Sequence, residues 1–273
     1  MISFPNAKIN IGLNVLKKRE DGYHNIESIF YPVQWCDAIE AIKTEGNGNL
    51  KLTTLGIPVP GPTESNLCTK AYRLLNAKHK LPSLDIWLLK CIPMGAGLGG
   101  GSADAAFFLK LINELFNLNL GTEELKLYAS QIGSDCTFSI ENKPAFVSGT
   151  GNIITPIKLD LSNYYIAIVY PQIHVDTKNA YSLIKPHKRK YSLKEAVLTP
   201  IHTWKEMVIN DFEEPIFKSH PQLAEIKNNL YNEGALYASM TGSGSALYGI
   251  FEKNPYIADK FPSCKVWTTH PIK

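Results

Sequence analysis

Residues 93–102 read Pro-Met-Gly-Ala-Gly-Leu-Gly-Gly-Gly-Ser, with five glycines in ten positions. The apolar stretch at 84–92 before them is typical of a β-strand, and 103–118 after them carries apolar residues at helical spacing. Glycines let bare backbone approach a ligand, and the free N–H groups at a helix start attract phosphate. The segment therefore predicts a phosphate-binding loop between a strand and a helix.

The same segment also matches the dinucleotide-binding pattern G-x-G-x-x-G through Gly95, Gly97 and Gly100. That fold needs a second parallel strand after the helix, ending about 20 residues on in an acidic residue that binds ribose. Residues 122–132 instead predict another helix, and no Gly-Lys-Ser/Thr of the Walker A type follows the glycines. Phosphate binding is thus favoured over a dehydrogenase, and a purely structural glycine turn stays as the alternative.

Outward from this loop the chain predicts strands and helices in irregular alternation, which favours an α+β fold over a doubly wound sheet. Apolar residues at two-residue spacing in 9–16 and 25–33 predict a β-hairpin, and 54–65 predicts a loop. A polar turn before 164 places a domain boundary near residue 158, giving domains 1–158 and 159–273. Further helices are predicted at 66–79, 192–196, 203–208 and 222–233, and further strands at 164–170 and 246–252.

Composition is that of an ordered globular protein, with 44% hydrophobic and 19% charged residues among 273. The net charge of +3 is too small to indicate a nucleic-acid or membrane partner, and the basic run at 185–190 is interpreted as a solvated loop. Five scattered cysteines fit neither a disulfide framework nor a zinc site. No export or membrane segment is indicated, so we expect a cytoplasmic protein.

Three segments resemble the motifs of the GHMP kinases, named after galacto-, homoserine, mevalonate and phosphomevalonate kinases. Pro-Asn-Ala-Lys-Ile-Asn at 5–10 is similar to the first motif, 93–103 to the second, and Thr-Gly-Ser-Gly-Ser-Ala at 241–246 to the third, in the family's order. The resemblance implies a two-lobed α+β GHMP kinase fold. Its first, nucleotide-binding domain would be like ribosomal protein S5 domain 2, and its second, substrate domain ferredoxin-like.

The resemblance also implies two catalytic residues, Asp135 as base and Lys8 as its electrostatic partner. Phosphoryl transfer needs alignment, neutralisation of phosphate charge and a group that takes the acceptor's proton. A nearby ammonium keeps a carboxylate ionised but weakens it as a base, so transition-state stabilisation and proton abstraction both stay open as its main role. The alternatives are that Asp135 only caps a helix and that Lys8 is a surface lysine.

For the nucleotide, the family resemblance implies ATP with Mg²⁺ carried on it, while the metal ligands stay unknown. Asn66 stands where the family approaches adenine and fits a helix N-cap equally well. Ser102 fits either a helix cap or a phosphate contact. The predicted nucleotide-binding residues are Asn66, Pro93, Gly95, Gly97, Gly99, Gly100, Gly101, Ser102 and Ala103.

Asp21-Gly22-Tyr23-His24 resembles a signature of those GHMP kinases whose acceptor carries cytidine diphosphate. A turn there would let a ring stack on the base and an imidazole bond its edge, with Tyr181 as a second wall where the family often has Phe. The resemblance implies phosphorylation of the 2-hydroxyl of a cytidine-diphosphate-linked methylerythritol in non-mevalonate isoprenoid synthesis. Another GHMP kinase, or a non-catalytic nucleotide sensor, is the alternative. The predicted substrate-binding residues are Asn10, Tyr23, His24, Asp135, Thr177, Tyr181, Thr241, Gly242 and Ser243.

Overall fold

The structure is a computed structural model that describes residues 1–184, 186 and 191–269. Its strands are β1 Ile2–Ser3, β2 Asn6–Lys18, β3 His24–Cys36, β4 Ala38–Asn47, β5 Leu50–Gly56, β6 Pro82–Lys90, β7 Ala145–Ser148, β8 Ile153–Pro156, β9 Tyr165–Tyr170, β10 Tyr237–Met240, β11 Leu247–Phe251 and β12 Lys265–Thr268. Its helices are α1 Leu67–His79, α2 Gly100–Leu115, α3 Thr122–Ile132, α4 Ser134–Glu141, α5 Thr177–Ser182, α6 Leu193–Ala196, α7 Trp204–Met207, α8 Glu213–Ser219 and α9 Pro221–Asn232.

Within the described residues the strands form three four-stranded sheets, ordered β1-β4-β6-β5, β2-β3-β7-β8 and β10-β11-β9-β12. In the first sheet β4 runs antiparallel to β6 and β5 runs parallel to it. In the third sheet every pair is antiparallel. The mixture of helices with antiparallel and mixed sheets confirms the predicted α+β class.

The chain divides into two compact units made of interleaved segments. Unit 1 holds residues 1–7, 34–94 and 99–143, and unit 2 holds 8–33, 95–98 and 144–273. The chain passes between them inside the glycine-rich loop. Because the units follow spatial clustering and not one cut in the chain, the boundary near residue 158 stays a prediction.

The core of unit 1 fixes the helix that follows the glycine-rich loop. On β6, Leu84, Ile86 and Leu88 are buried at two-residue spacing, as expected for a strand with one face on the core. They pack in one cluster with Phe108 and Ile112 of α2. Burying each such side chain stabilises the fold by about 1.5–3 kcal/mol, so the start of α2 rests on a rigid base.

The core of unit 2 lies between its antiparallel sheet and α9. Leu223, Ile226 and Leu230 share one face of α9 at helical spacing, and they pack with Ala167 and Val169 of β9. β9 lies between β11 and β12 in the sheet and forms backbone hydrogen bonds with both.

Several predicted elements match the structure closely. The hairpin is β2 and β3, neighbours in one sheet, and the helices predicted at 66–79 and 122–132 are α1 and α3. Asn66 is the N-cap of α1, since its side-chain oxygen accepts a hydrogen bond of 2.9 Å from the Cys68 N–H. Cap chemistry is local, which is why sequence alone located this helix start.

Other predictions were wrong. The strand β5 extends to Gly56 inside the predicted loop, because pairing along β6 outweighs its polar composition. The short helix α4 was not predicted, although it starts directly after Gly133, the C-cap of α3. The strand β12 follows the one predicted as last, and α2 begins at Gly100 instead of 103.

The basic run predicted as a solvated loop falls outside the described residues, at Lys185, His187, Lys188, Arg189 and Lys190. Within the described part of the chain, every helix is too short or too polar to cross a membrane.

Candidate active site

In unit 2, the first half of the glycine-rich loop, residues 95–98, packs directly on the turn of the third motif, residues 241–246. A Cβ atom on Gly97 would lie 2.0 Å from the backbone oxygen of Thr241, and Gly97 has a φ of +79°. Thr241 Oγ1 donates a hydrogen bond of 3.0 Å to the Gly97 carbonyl, and the Ala246 N–H donates one of 3.2 Å to the Ala96 carbonyl. Only glycine fits such a close approach, so these two predicted motifs form one backbone cradle.

Lys8 and Asn10 lie on one face of β2, as their two-residue spacing predicts. The Lys8 ammonium donates hydrogen bonds to Asn10 Oδ1 and, over 3.2 Å, to the Gly97 carbonyl, and it lies 4.5 Å from the centre of the Phe30 ring. With 6% of its surface exposed, Lys8 is not a surface lysine. The Asn10 N–H donates to Thr241 Oγ1 over 3.0 Å, so both side chains lie against the cradle.

The predicted acceptor residues are partly brought together in unit 2. The rings of His24 and Tyr181 stack with centroids 4.9 Å apart and planes 20° apart, and Tyr181 meets the Phe212 ring edge-on. Burial, and then the charge of Lys18, lowers the pKa of His24. The Tyr23 ring is 67% exposed and so is not enclosed with them.

Two further predicted residues connect this region to the third motif. The hydroxyls of Thr177, at the start of α5, and Ser243 lie 2.9 Å apart and share a hydrogen bond. Gly242 has a φ of +58°, and a Cβ there would lie 3.2 Å from the Gly97 Cα, which again requires glycine. Thr177, Thr241, Gly242 and Ser243 are therefore continuous with the cradle.

In unit 1, the second half of the loop, residues 99–102, forms the start of α2. Gly99 is the N-cap, with a left-handed φ of +69°, so Ser102 lies inside the first turn and is not the cap. A Cβ on Gly101 would meet nothing within 4 Å, whereas one on Gly100 would lie 2.9 Å from Ile92. The helix start is thus open at Gly101 and packed at Gly100, and its first N–H groups suit an anion.

A buried charge cluster under this helix start was not predicted. The Lys90 ammonium donates hydrogen bonds to Asp37 Oδ2 and, over 2.6 Å, to Asp104 Oδ2. Asp37 Oδ1 accepts the Ile92 N–H over 2.8 Å. Asp37 lies 53 residues before Lys90, and Asp104 lies 14 residues after it. The one signal in the sequence was the position of Lys90 between the apolar residues Leu88 and Ile92 at two-residue spacing.

The charges in this cluster are set by burial and by one another. Burial raises the pKa of Asp104 to about 7, and the Lys90 ammonium offsets part of that rise. Burial alone would lower the pKa of Lys90, but the attraction of Asp104 and then Asp37 outweighs it and raises the pKa. Lys90 therefore stays charged, and Asp104 is the carboxyl that takes up a proton near neutral pH.

A cavity of about 130 Å³ lies beside the cluster in unit 1. Apolar groups of Leu67, Leu88 and Met94 line it together with polar groups of Asn66 and Asp104. Among the described residues, Asp104 Oδ1 is buried and has no hydrogen-bond partner. Buried polar atoms rarely lack a hydrogen-bond partner. A ligand that donates a hydrogen bond would therefore fit against this side of the cavity.

Asp135 lies in the first turn of α4, two residues after Gly133, and is partly exposed. Gly133 is the N-cap, so the alternative of Asp135 as a helix cap is wrong. Burial raises the pKa of the next residue, Cys136, to about 11, and a hydrogen bond with the Ser102 side chain offsets part of this rise. Contact between Cys136 and Ser102 places the first turn of α4 against the first turn of α2.

This geometry is matched by known proteins. Residues 66–150 match the GHMP kinases N terminal domain, and residues 198–261 match the GHMP kinases C terminal domain. A 4-diphosphocytidyl-2-C-methyl-D-erythritol kinase of Parabacteroides distasonis is 49% identical over 269 residues, which is 98% of each chain. The chain belongs to the 4-diphosphocytidyl-2-C-methyl-D-erythritol kinase family. A relative of the same name from Bacteroides thetaiotaomicron is 52% identical over 254 residues, 92% of each chain.

Solved structures agree with this family of GHMP kinases. The crystal structure of a 4-(cytidine 5'-diphospho)-2C-methyl-D-erythritol kinase superposes with a TM-score of 0.81 at 28% identity and covers 98% of both chains. Methanococcus jannaschii mevalonate kinase has a TM-score of 0.72 at 14% identity, over 100% of this chain and 98% of its own, which shows the shared fold. As a member of the 4-diphosphocytidyl-2-C-methyl-D-erythritol kinase family, the chain is an ATP-dependent small-molecule kinase, as predicted.

Proposed function

We propose that the chain transfers the γ-phosphoryl group of ATP to the 2-hydroxyl of 4-diphosphocytidyl-2-C-methyl-D-erythritol, a step of non-mevalonate isoprenoid precursor synthesis. The observation that carries this proposal is the buried Lys8 ammonium, 3.2 Å from the Gly97 carbonyl of the two-motif cradle. A buried ammonium at a glycine cradle suits charge that develops on a transferred phosphoryl group. The name shared by relatives near 50% identity supports the choice of acceptor.

For the acceptor, we assign the cytidine end to the aromatic pair His24 and Tyr181. The lowered pKa keeps the His24 imidazole neutral near pH 7, so one ring nitrogen can donate and the other accept a hydrogen bond at the edge of a base. The stacked rings give such a base a flat aromatic surface. Tyr23 is close in sequence and exposed, so its ring is accessible to the same base. Thr177 and Ser243 offer hydroxyls toward the diphosphate.

For the nucleotide, the fit rests on the cavity beside Asn66 and on the open start of α2. The unsatisfied Asp104 Oδ1 offers an acceptor in a largely apolar cavity, which suits a heterocyclic base or its sugar. Open space at Gly101 lets a phosphate reach the first N–H groups of α2. When bound, ATP supplies the phosphoryl group and brings Mg²⁺, which usually binds through phosphates and few side chains.

For the chemistry, we assign Asp135 as the group that takes the acceptor's proton. Asp135 lies in the first turn of α4, and a carboxylate is a group that can accept a proton from a hydroxyl. Lys8 stabilises the negative charge that develops during transfer, and Asn10 holds the Lys8 ammonium in place. Asp135 and Lys8 thereby divide proton acceptance and charge stabilisation between them.

We further propose that the enzyme works in the cytoplasm on its small-molecule substrates, without nucleic acid or membrane. Its five cysteines are free thiols, which suits a reducing compartment.

The test is ATP consumption by the purified protein with Mg²⁺ and one of three acceptors: the cytidylated methylerythritol, homoserine or mevalonate. We expect turnover with the cytidylated acceptor alone, and a loss of about 10²-fold or more in kcat for Asp135→Asn, as for a general acid–base group. Turnover of another acceptor would reassign the substrate. Nucleotide binding without any turnover would favour a sensor.

A further inference from the structure

Lys110, midway along α2, contacts the far end of the helix that carries Asp135. Its ammonium donates hydrogen bonds of 3.3 Å to the carbonyl oxygens of Ser139 and Ile140. Both carbonyls belong to the last turn of α4, where backbone oxygens lack partners within the helix. A lysine at that end satisfies these oxygens and interacts favourably with the helix dipole.

The surroundings of Lys110 favour this contact, because they keep its ammonium away from water. The Phe107 ring centre lies 3.7 Å from the ammonium, and burial lowers the pKa of Lys110 to about 8. A charge withdrawn from water is costly unless it has hydrogen-bond partners, and the two carbonyls supply them. Lys110 is therefore built into the packing between α2 and α4.

The same two helices also meet near their starts, where the Ser102 side chain of α2 contacts the Cys136 thiol of α4. Lys110 follows Ser102 by eight residues, or about 12 Å along the helix axis. Apolar side chains of α4 also pack in the core of unit 1. The contacts with Ser102 and Lys110 add a polar contact to α2 in the first turn of α4 and another in its last turn.

We propose that Lys110 is a positioning residue that holds α4, and with it Asp135, in a fixed orientation to the phosphate-binding start of α2. The inference rests on the proposed role of Asp135. Lys110 lies at the opposite end of α4 from Asp135 and acts only through the helix. A displacement of about 1 Å at a catalytic group can cost about 10²-fold in rate, so loss of this anchor should lower kcat more than it weakens binding.

Lys126 offers a matched control on the same helix end. From α3 it forms salt bridges of 2.9 Å to Glu123 and to the Glu141 carboxylate, the last residue of α4. Lys126→Met thus removes a lysine that contacts α4 through a side chain, while the contact of Lys110 with the backbone carbonyls stays. Lys110→Arg is the conservative variant, since it keeps a donor and a charge.

The experiment measures kcat and KM for both substrates, and hydrogen–deuterium exchange of residues 134–141, in wild type, Lys110→Met, Lys110→Arg and Lys126→Met. We expect Lys110→Met to lose about 10-fold to 10²-fold in kcat with KM within about twofold, and to exchange faster in α4. Lys126→Met should keep wild-type kcat and exchange, and Lys110→Arg should recover much of the activity.

Unchanged kcat in Lys110→Met, or an equal loss in Lys126→Met, would overturn the proposal. Exchange in α4 tests the anchor whatever the acceptor is: unchanged protection in Lys110→Met refutes it even if wild type phosphorylates none of the acceptors. Inactivity of wild type with faster exchange in Lys110→Met would instead reject only the proposed function of Asp135.

Discussion

The two halves of the glycine-rich loop, residues 95–98 and 99–102, each lie beside a buried lysine with different partners. Lys8, next to the first half, contacts the Asn10 amide oxygen, the Gly97 carbonyl and the Phe30 ring. Lys90, next to the second half, is bridged by the carboxylates of Asp37 and Asp104. The Lys90 ammonium is shared by two buried carboxylates, so its removal would leave their charges unpaired, whereas the Lys8 ammonium lies at the backbone of the cradle.

The largest expected effect on stability comes from Lys90→Met. The substitution leaves two buried carboxylates without their shared cation, so the free energy of unfolding should fall by about 3–5 kcal/mol. Urea denaturation measures this, and kcat of the protein that stays folded should change little. If instead Lys90→Met unfolds like wild type, the buried cluster is not structural. Combining it with Asp37→Asn and Asp104→Asn should restore part of the loss.

Lys8→Met should act mainly on the reaction, because the Lys8 ammonium lies against the cradle assigned to the transferred phosphoryl group. Loss of a charge that stabilises the transition state should lower kcat by about 10² to 10³-fold. Steady-state kinetics and thermal melting on the same samples compare the two lysines. A large drop in melting temperature with modest kinetic loss would make Lys8 a structural residue like Lys90.

Substitutions at Gly97 and Gly101 compare the two halves of the loop directly. Gly97→Ala places a methyl group 2.0 Å from the Thr241 carbonyl oxygen at a φ of +79°, and should destabilise the protein by about 1–3 kcal/mol. Gly101→Ala meets no atom within 4 Å and lies in a helix, so stability should be unchanged or improve by up to about 1 kcal/mol. Its KM for ATP should rise if phosphate approaches there. Equal denaturation midpoints for both variants would contradict the cradle.

A pH dependence carried by Asp104 tests the buried cluster without replacing its lysine. Its pKa is raised from 3.8 to about 7 in the folded protein, so between these values the folded state holds a proton that the unfolded state releases. The contribution of Asp104 to the free energy of unfolding is therefore largest below about pH 4 and is lost as the pH rises to about 7. The difference in urea midpoint between wild type and Asp104→Asn should therefore fall across that range. If the difference in urea midpoint does not change with pH, Asp104 is not the group that binds the proton.

Local patterns carried most of what could be predicted before the fold was known. The strand, glycine loop and helix at 84–118, the hairpin and the Asn66 cap all depend on residues close in sequence. The short helix α4 was missed because its eight residues give too little periodicity to separate it from a turn. For Asp135 this changed the structural setting, from a turn to the first turn of a helix.

The sequence by itself determined the family, the class of reaction and the three motifs, because these depend on residue types at fixed spacing. Only the tertiary structure decided which side chains support them. The contact of Gly97 with Thr241, the cluster of Lys90 with Asp37 and Asp104, and the anchor of Lys110 on α4 join residues 14 to 144 positions apart. Burial and Coulomb energy depend on distance in space, which spacing along the chain does not encode.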